Sequence, residues 1–371
     1  MNNPAPTMGS SNVTMHSIIQ RIATGPELSK SISQEEARAA THMIMEGRVD
    51  PVQAGIFFIA LRMKRETDAE NLGVLDALRD VTRTATAAVD DVVDIADPYD
   101  GYSRCLPASP FLPPLLAACG VPAVSHGMES IGPKYGVTHR QVLRAAGVPV
   151  DLSPQQAAAR IADSSIGWAY VDQKVFCPPL HGLIGLRKLM VKRQVLTTVE
   201  TLTGPVRGRM RTHLMTGYVH KPYPRIYAML ARRAGFDSAM LVRGIEGGVI
   251  PSLRQAGKLF YYHDRGEEQS IDIDPTSLGI DQPWRATPLP VELAPPEGDE
   301  SVKLDTAAAA QAAARAGIAA LEGAAGPTRD SLVYAAAICL WHLRRHASLA
   351  DAAHAARQAL DSGAARSRLV S

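Results

Sequence analysis

Between Arg187 and Arg233 the chain sets eleven basic residues against a single acid, Glu200. Arg187, Lys188, Lys192 and Arg193 open this stretch, and Arg207, Arg209 and Arg211 continue it. Guanidinium and ammonium groups at this density attract phosphates through their charge and their N–H donors. The net charge is +2, so the remainder of the chain carries −8. Two arrangements satisfy that count. One is a positive track open to a polyanion. The other is a set of surface pairs whose acids come from elsewhere in the fold. Few aromatics accompany Arg207-Gly-Arg-Met-Arg211, which favours contact with a phosphate backbone over base stacking.

Other reactive side chains have plainer readings. His126, in Ser125-His126-Gly127-Met128, reads as a residue that orders a loop. Cys177 precedes Pro178 with no adjacent base to lower its pKa, so it reads as a buried packing thiol. Tyr261, Tyr262 and His263 suit a strand with one packed face. His342, Arg344, Arg345 and His346 suit an exposed helix face, and Trp168 and Trp341 suit a core.

The elements that must carry these residues are legible from capping and periodicity. Ser33-Gln-Glu-Glu36 is a capping box. Asp50-Pro51 starts an almost wholly apolar helix, and Glu66-Thr-Asp68 starts another at about 67–80. Residues 14–84 therefore read as helical. Val89–Ile95 and Val121–Val124 suit strands, with a loop at Asp97-Pro-Tyr-Asp-Gly101 between them. Ser109-Pro110 opens a helix that Pro113 and Pro114 distort at its start. Strands and helices then alternate to about residue 275, the pattern of an α/β sheet. Residues 281–302 are rich in Pro and acid and read as an exposed connection. From Asp305 the chain is Ala-rich and helical, broken at Gly323–Pro327 and ending near Gly363.

The 371 residues, 46% hydrophobic and 20% charged, exclude disorder as the main theme. No uncharged apolar run reaches the roughly 18 residues of a membrane span. Four scattered cysteines, Cys105, Cys119, Cys177 and Cys339, fit neither a disulfide framework nor a zinc site and point to a reducing, cytoplasmic setting. The polar start, residues 1–13, reads as a flexible tail.

Three stretches together resemble the anthranilate phosphoribosyltransferase family, glycosyltransferase family 3. They are SISQEEARAATHMIMEGRVDPVQAGIFFIALRMKRET, AACGVPAVSHGMESIGPKYGVTHRQVLRAAGVPVDLSP and GPTRDSLVYAAAICL…SLADAAHAARQALDSGAA. The resemblance implies a small all-helical domain plus a larger α/β domain with a central sheet flanked by helices, a nucleoside phosphorylase/phosphoribosyltransferase-like fold. Residues 14–85, with about 176–203, would form the helical dimerisation domain of a homodimer. Residues 86–175 and 204–371 would form the α/β domain.

Family members attack phosphoribosyl pyrophosphate, using a glycine-rich GTGGD loop, a KHGN motif and a magnesium-binding Asp-Glu pair. Here those places read Asp97-Pro-Tyr-Asp-Gly101, Ser125-His-Gly-Met128 and Val249-Ile250. Magnesium takes oxygen ligands, so the resemblance implies no metal at this pair. Ser109, His126, Gly127, Lys134, Cys177 and Arg187 then stand as a vestigial substrate cleft, without an assigned catalytic residue. The pattern Phe176-Cys-Pro-Pro-Leu180, Arg187, Arg193 and His126-Gly127 is similar to a divergent paralogue branch that binds nucleic acid through a basic groove. On that likeness Arg187, Lys188, Lys192, Arg193, Arg207, Arg209 and Arg211 would contact phosphates, with no cofactor and no membrane. The alternative is a glycosyl or phosphoribosyl transferase with an altered donor or acceptor, which alone would call for magnesium.

Overall fold

The computed structural model describes residues 14–25, 27–294 and 303–369. The tail expected at 1–13 and the end of the acidic connection lie outside them. Four helices come first: α1 (Met15–Ile22), α2 (Gln34–Met45), α3 (Pro51–Lys64) and α4 (Asp68–Val81). Local chemistry fixes their starts. Ser33 and Thr67 each accept from the backbone N–H three residues on, while Glu36 and Glu70 reach back to the cap N–H. Asp50 caps α3, with Pro51 at its first position.

A short pair, β1 (Ala85–Thr86) and β5 (Val206–Arg207), lies apart from the main sheet. The main sheet contains β2 (Asp91–Ala96), β3 (Ala123–Gly127), β4 (Trp168–Asp172), β6 (Arg211–Gly217), β7 (Ser238–Val242), β8 (Gly257–Tyr262) and β9 (Gln269–Ile273). Its order is β4-β3-β2-β6-β7-β8-β9. The first five strands are parallel, and β8 pairs antiparallel with both neighbours.

Helices cover both faces. Val93 and Ile95 of β2, Met215 of β6 and Met240 and Val242 of β7 face a core shared with α5 (Leu112–Ala118), α6 (His139–Ala145), α13 (Thr306–Leu321), α14 (Pro327–His342), α15 (Leu349–Asp361) and α16 (Ala364–Leu369). Val92 and Ala96, Leu214, and Ala239 and Leu241 face the other core, shared with α1–α4, α7 (Pro154–Ala162) and α12 (Tyr223–Arg233). This alternation is the period-two geometry of a strand covered on both sides.

Four short helices, α8 (Gln173–Phe176), α9 (Pro178–His181), α10 (Ile184–Met190) and α11 (Leu196–Val199), leave β4 and return to the first bundle. There α10 packs on α3 and α11 on α4. Near the C-terminus the helical run has a second break that the sequence reading did not place. The helix α14 stops at His342, and Arg344 adopts a left-handed φ of 57°. His342, Arg344 and Arg345 are therefore not one exposed helix face: His342 is only 1% exposed, while the two arginines lie on the surface. No helix among the described residues is long and apolar enough to cross a membrane.

Candidate functional site

The strand β2 has β3 on one side and β6 on the other, so chain connections leave it in opposite directions. In open α/β sheets such a reversal leaves a crevice beyond the carboxyl ends of the strands, where ligands bind. A cavity of about 170 Å³ lies there. Ala96 ends β2 at its wall and Tyr99 follows, Thr216 and Tyr218 come from the end of β6, and Arg62 of α3 closes it from the bundle. Arg193, Thr197 and Thr201 form the wall nearest α11. Four tyrosines, Tyr99, Tyr218, Tyr223 and Tyr227, give it an aromatic lining. The Oε1 of buried Gln194 and the Oγ1 of Thr197 have no protein partner there.

Beneath the cavity, buried carboxylates are held by side-chain networks. Asp97 accepts from Tyr102 (2.7 Å), Ser109 (2.8 Å) and the Val249 N–H (2.9 Å), and meets His139 Nε2 at 2.9 Å. Burial alone would raise its pKa, but His139 and the hydroxyl donors hold it below the ordinary aspartate value. Asp94 meets His126 Nε2 at 2.7 Å, and the other ring nitrogen of His126 meets the Tyr99 hydroxyl at 2.5 Å. His126 thus orders the loop after β2.

Two further carboxylates occupy the positions an anionic ligand would want. Asp100, its side chain 2% exposed, sits between Lys134 Nζ (3.2 Å) and Arg193 Nη2 (2.8 Å). Glu246, at a left-handed φ of 52°, accepts from Ser103 N–H (3.0 Å), Ser103 Oγ (3.1 Å) and Arg104 N–H (2.8 Å). Successive backbone N–H groups with a hydroxyl form a nest that suits an anion. Here the protein's own carboxylate fills it. Lys134 also donates to the Glu246 carbonyl at 3.1 Å.

Of the expected phosphate contacts, Arg193 alone lines the cavity. Arg187 is a correction. It is 3% exposed and makes a two-pronged pair with buried Glu200, at 2.6 and 2.7 Å, so no phosphate reaches it. Arg207 is likewise turned inward. It lies over the Phe236 ring at 4.3 Å and donates to the carbonyls of Gly204 and Ala234. Arg209 pairs with Asp90 (3.0 Å) and Arg211 with Asp91 (3.1 Å), both near the opposite end of the sheet from the cavity. Lys188 and Lys192 are exposed, with no ion pair among the described residues. Further along, Arg225, Arg232 and Arg233 pair with Asp68, Glu268 and Asp76. The second of the two arrangements allowed by the charge count thus accounts for most of the basic stretch.

The remaining cleft candidates do not line the cavity. Ser109 and Lys134 are tied to Asp97 and Asp100, and Gly127 ends β3. Cys177 is buried, and burial pushes its thiol pKa up. Sequence reasoning missed Arg62, Tyr218, Tyr223, Tyr227 and Thr197. The available signal was the spacing of three tyrosines across a strand end and a helix start.

Magnesium does not fit. Val249 and Ile250 are buried hydrophobes, and Asp100 and Glu246 are already engaged. No group of three or more His, Cys, Asp or Glu side chains among the described residues is placed to hold a metal.

A helical bundle beside a largely parallel sheet, with a cleft at its reversal point, defines a two-part glycosyl transferase architecture. The model described as "Glycosyl transferase family, helical bundle domain" matches residues 16–82, and "Glycosyl transferase family, a/b domain" matches 106–366. The chain belongs to glycosyltransferase family 3, the family of the anthranilate phosphoribosyltransferases. It is 28% identical over 359 residues to the anthranilate phosphoribosyltransferase of Rhodopseudomonas palustris (strain BisA53), covering 96% of this chain and 97% of that one. The anthranilate phosphoribosyltransferase structure from Thermus thermophilus superposes with a TM-score of 0.70 at 21% identity, over 95% and 97% of the two chains. The Saccharomyces cerevisiae enzyme in complex with PRPP and Mg gives 0.71 at 15% identity, over 97% of each. At these identities the structural likeness concerns the fold.

Proposed function

We propose that this chain is a transferase-like protein whose cleft takes a small ring-bearing ligand of low negative charge, an altered donor or acceptor for its family. One observation carries this reading: Asp100 lies between Lys134 and Arg193. A polyphosphate entering there would meet a carboxylate in the place where cations should be free. The tyrosines offer faces for a ring, and Gln194 and Thr197 offer unused hydrogen-bonding atoms. The residues in hand support binding and orientation and assign no catalytic group. Calorimetry tests the reading. Nucleosides and aromatic acids should include a ligand with saturable heat, lost in Arg62→Ala and Tyr223→Ala. Phosphoribosyl pyrophosphate with magnesium should give none, and magnesium-dependent saturation by that donor would reject the proposal.

Exposed Lys188 and Lys192 support a second reading, a weak, sequence-independent hold on nucleic acid. With Lys221, also exposed and unpaired among the described residues, they supply about three contacts. The log–log salt slope on duplex DNA should then be about −3, against about −5 for six engaged phosphates. Lys188→Ala with Lys192→Ala should weaken binding at every sequence alike. A flat salt response in an anisotropy titration would end this reading.

A further inference from the structure

The amino ends of the same strands frame a second cavity, of about 270 Å³. It has no part in the cleft reading above. The ladder pairs His213 of β6 with Ser238 of β7, bringing the imidazole Nδ1 to within 2.7 Å of the Ser238 Oγ. His342, at the end of α14, meets the same hydroxyl through Nε2 at 2.8 Å. Its other ring nitrogen, Nδ1, is buried at this cavity with no partner. His263 stacks on His342 at 4.3 Å between centroids and 15° between planes.

The charges around the cavity fall into two sets. Asp91 is engaged by Arg211 at 3.1 Å and faces His213 at 3.6 Å. Asp237 is engaged by Arg265 (2.9 Å) and the Thr212 N–H (2.9 Å). That leaves Arg344 and Arg345 on the rim, without an ion pair among the described residues, opposed by the exposed carboxylate of Asp264. What remains available to a ligand is thus two guanidiniums, the His263 imidazole with the free Nδ1 of His342 stacked on it, and one rim acid.

We propose that this basin is a second ligand site, one that takes a tetrahedral oxyanion of the phosphate class against Arg344, Arg345 and the His263–His342 pair. Guanidiniums suit such an anion through paired N–H donors, and an imidazole becomes a donor at both nitrogens once it is protonated. Without a ligand, a proton on His342 is opposed by burial, by His263 and His213, and by Arg344. Burial and Arg344 also oppose a proton on His263, with Asp264 favouring it. Burial lowers His213 as well, against the pull of Asp91 and Asp237. A bound oxyanion offsets that opposition, so anion and proton bind together.

Calorimetry on the full chain with sulfate tests this, because sulfate keeps its charge across the histidine range. One saturable site is expected, tightening about tenfold or more between pH 7.5 and pH 5.5. Arg344→Ala with Arg345→Ala, both on the surface, should weaken it at least tenfold, whereas Arg193→Ala in the cleft should leave it unchanged. Histidine side-chain NMR should show the His342 and His263 pKa values rising with sulfate. Inorganic phosphate and glycerol 3-phosphate, compared at one pH, separate a free anion from the phosphoryl end of a larger molecule. Absent binding, an affinity that does not change with pH, or loss in the Arg193 variant instead would overturn the proposal.

Discussion

Removing one partner of the Arg187–Glu200 pair strands a charge where water does not reach. Arg187→Ala should cost about 3–5 kcal/mol in urea unfolding, while an apolar pair of similar volume at both positions should be near neutral. A loss below about 1 kcal/mol would return Arg187 to the surface role first expected of it. Protons act at the same scale. His181, His213, His263 and His342 all have lowered pKa values, with burial the largest cause in each. Their unfolded forms take up protons first. The stability these four histidines contribute is therefore fully present well above about pH 6.5 and falls as acid carries the unfolded chain through that value. Melting temperature should be lower at about pH 5.5 than at about pH 7.5, and sulfate should recover part of the difference if the second cavity binds it. Asp97 acts in a separate window. Its lowered pKa contributes stability that is lost only below about pH 4.

Elements were readable where their cause is local. The capping boxes at Ser33 and Thr67 close within three residues, whereas the apolar run of α3 overstates its burial: Ala54, Phe57, Phe58 and Leu61 are buried, but Val52, Ile56 and Met63 are exposed. The ion pairs were not readable, because Arg193 finds Asp100 across 93 positions and Arg225 finds Asp68 across 157. Charge counting gives the excess but not the partner. The stop of α14 at His342 was missed for a similar reason: no Gly or Pro marks it, and a non-glycine residue takes the left-handed turn. Close contact between elements also depends on distant sequence. A Cβ on Gly73 of α4 would lie 2.3 Å from the Gln34 carbonyl and 2.7 Å from the Ala37 Cβ of α2. Gly73→Ala should therefore destabilise by about 1–3 kcal/mol despite its better helix propensity, measured as a shift in denaturation midpoint.

For the whole molecule, the bundle leaves one apolar face uncovered. Met63 of α3 is 75% exposed and Leu189 of α10 is 81% exposed, with Val52, Ile56 and Val191 exposed on the same two segments. A second copy of the chain is the proposed cover. Sedimentation should give a dimer that Met63→Glu with Leu189→Glu converts to folded monomers. A monomer in the unaltered protein would discard that assignment. Architecture was open to sequence reading through hydrophobic spacing and caps, and the family through the three stretches that resemble its members. The cleft was only partly open to it: the residues at Asp97–Gly101 and at Val249 and Ile250 could be read directly, but the inward turn of Arg187 and Arg207 depends on packing that spacing does not encode.

The register of β6 against its neighbours bears on how this protein tolerates change. One strand of seven residues, rising about 3.3 Å each, carries His213 near one rim and Thr216 near the other. A single inserted or deleted residue within it would move the side chains beyond that point from one buried core to the other and displace one rim relative to the other. Length variation should therefore collect in the connecting loops, and a deletion scan should find β6 intolerant at every position, including those that touch neither cavity.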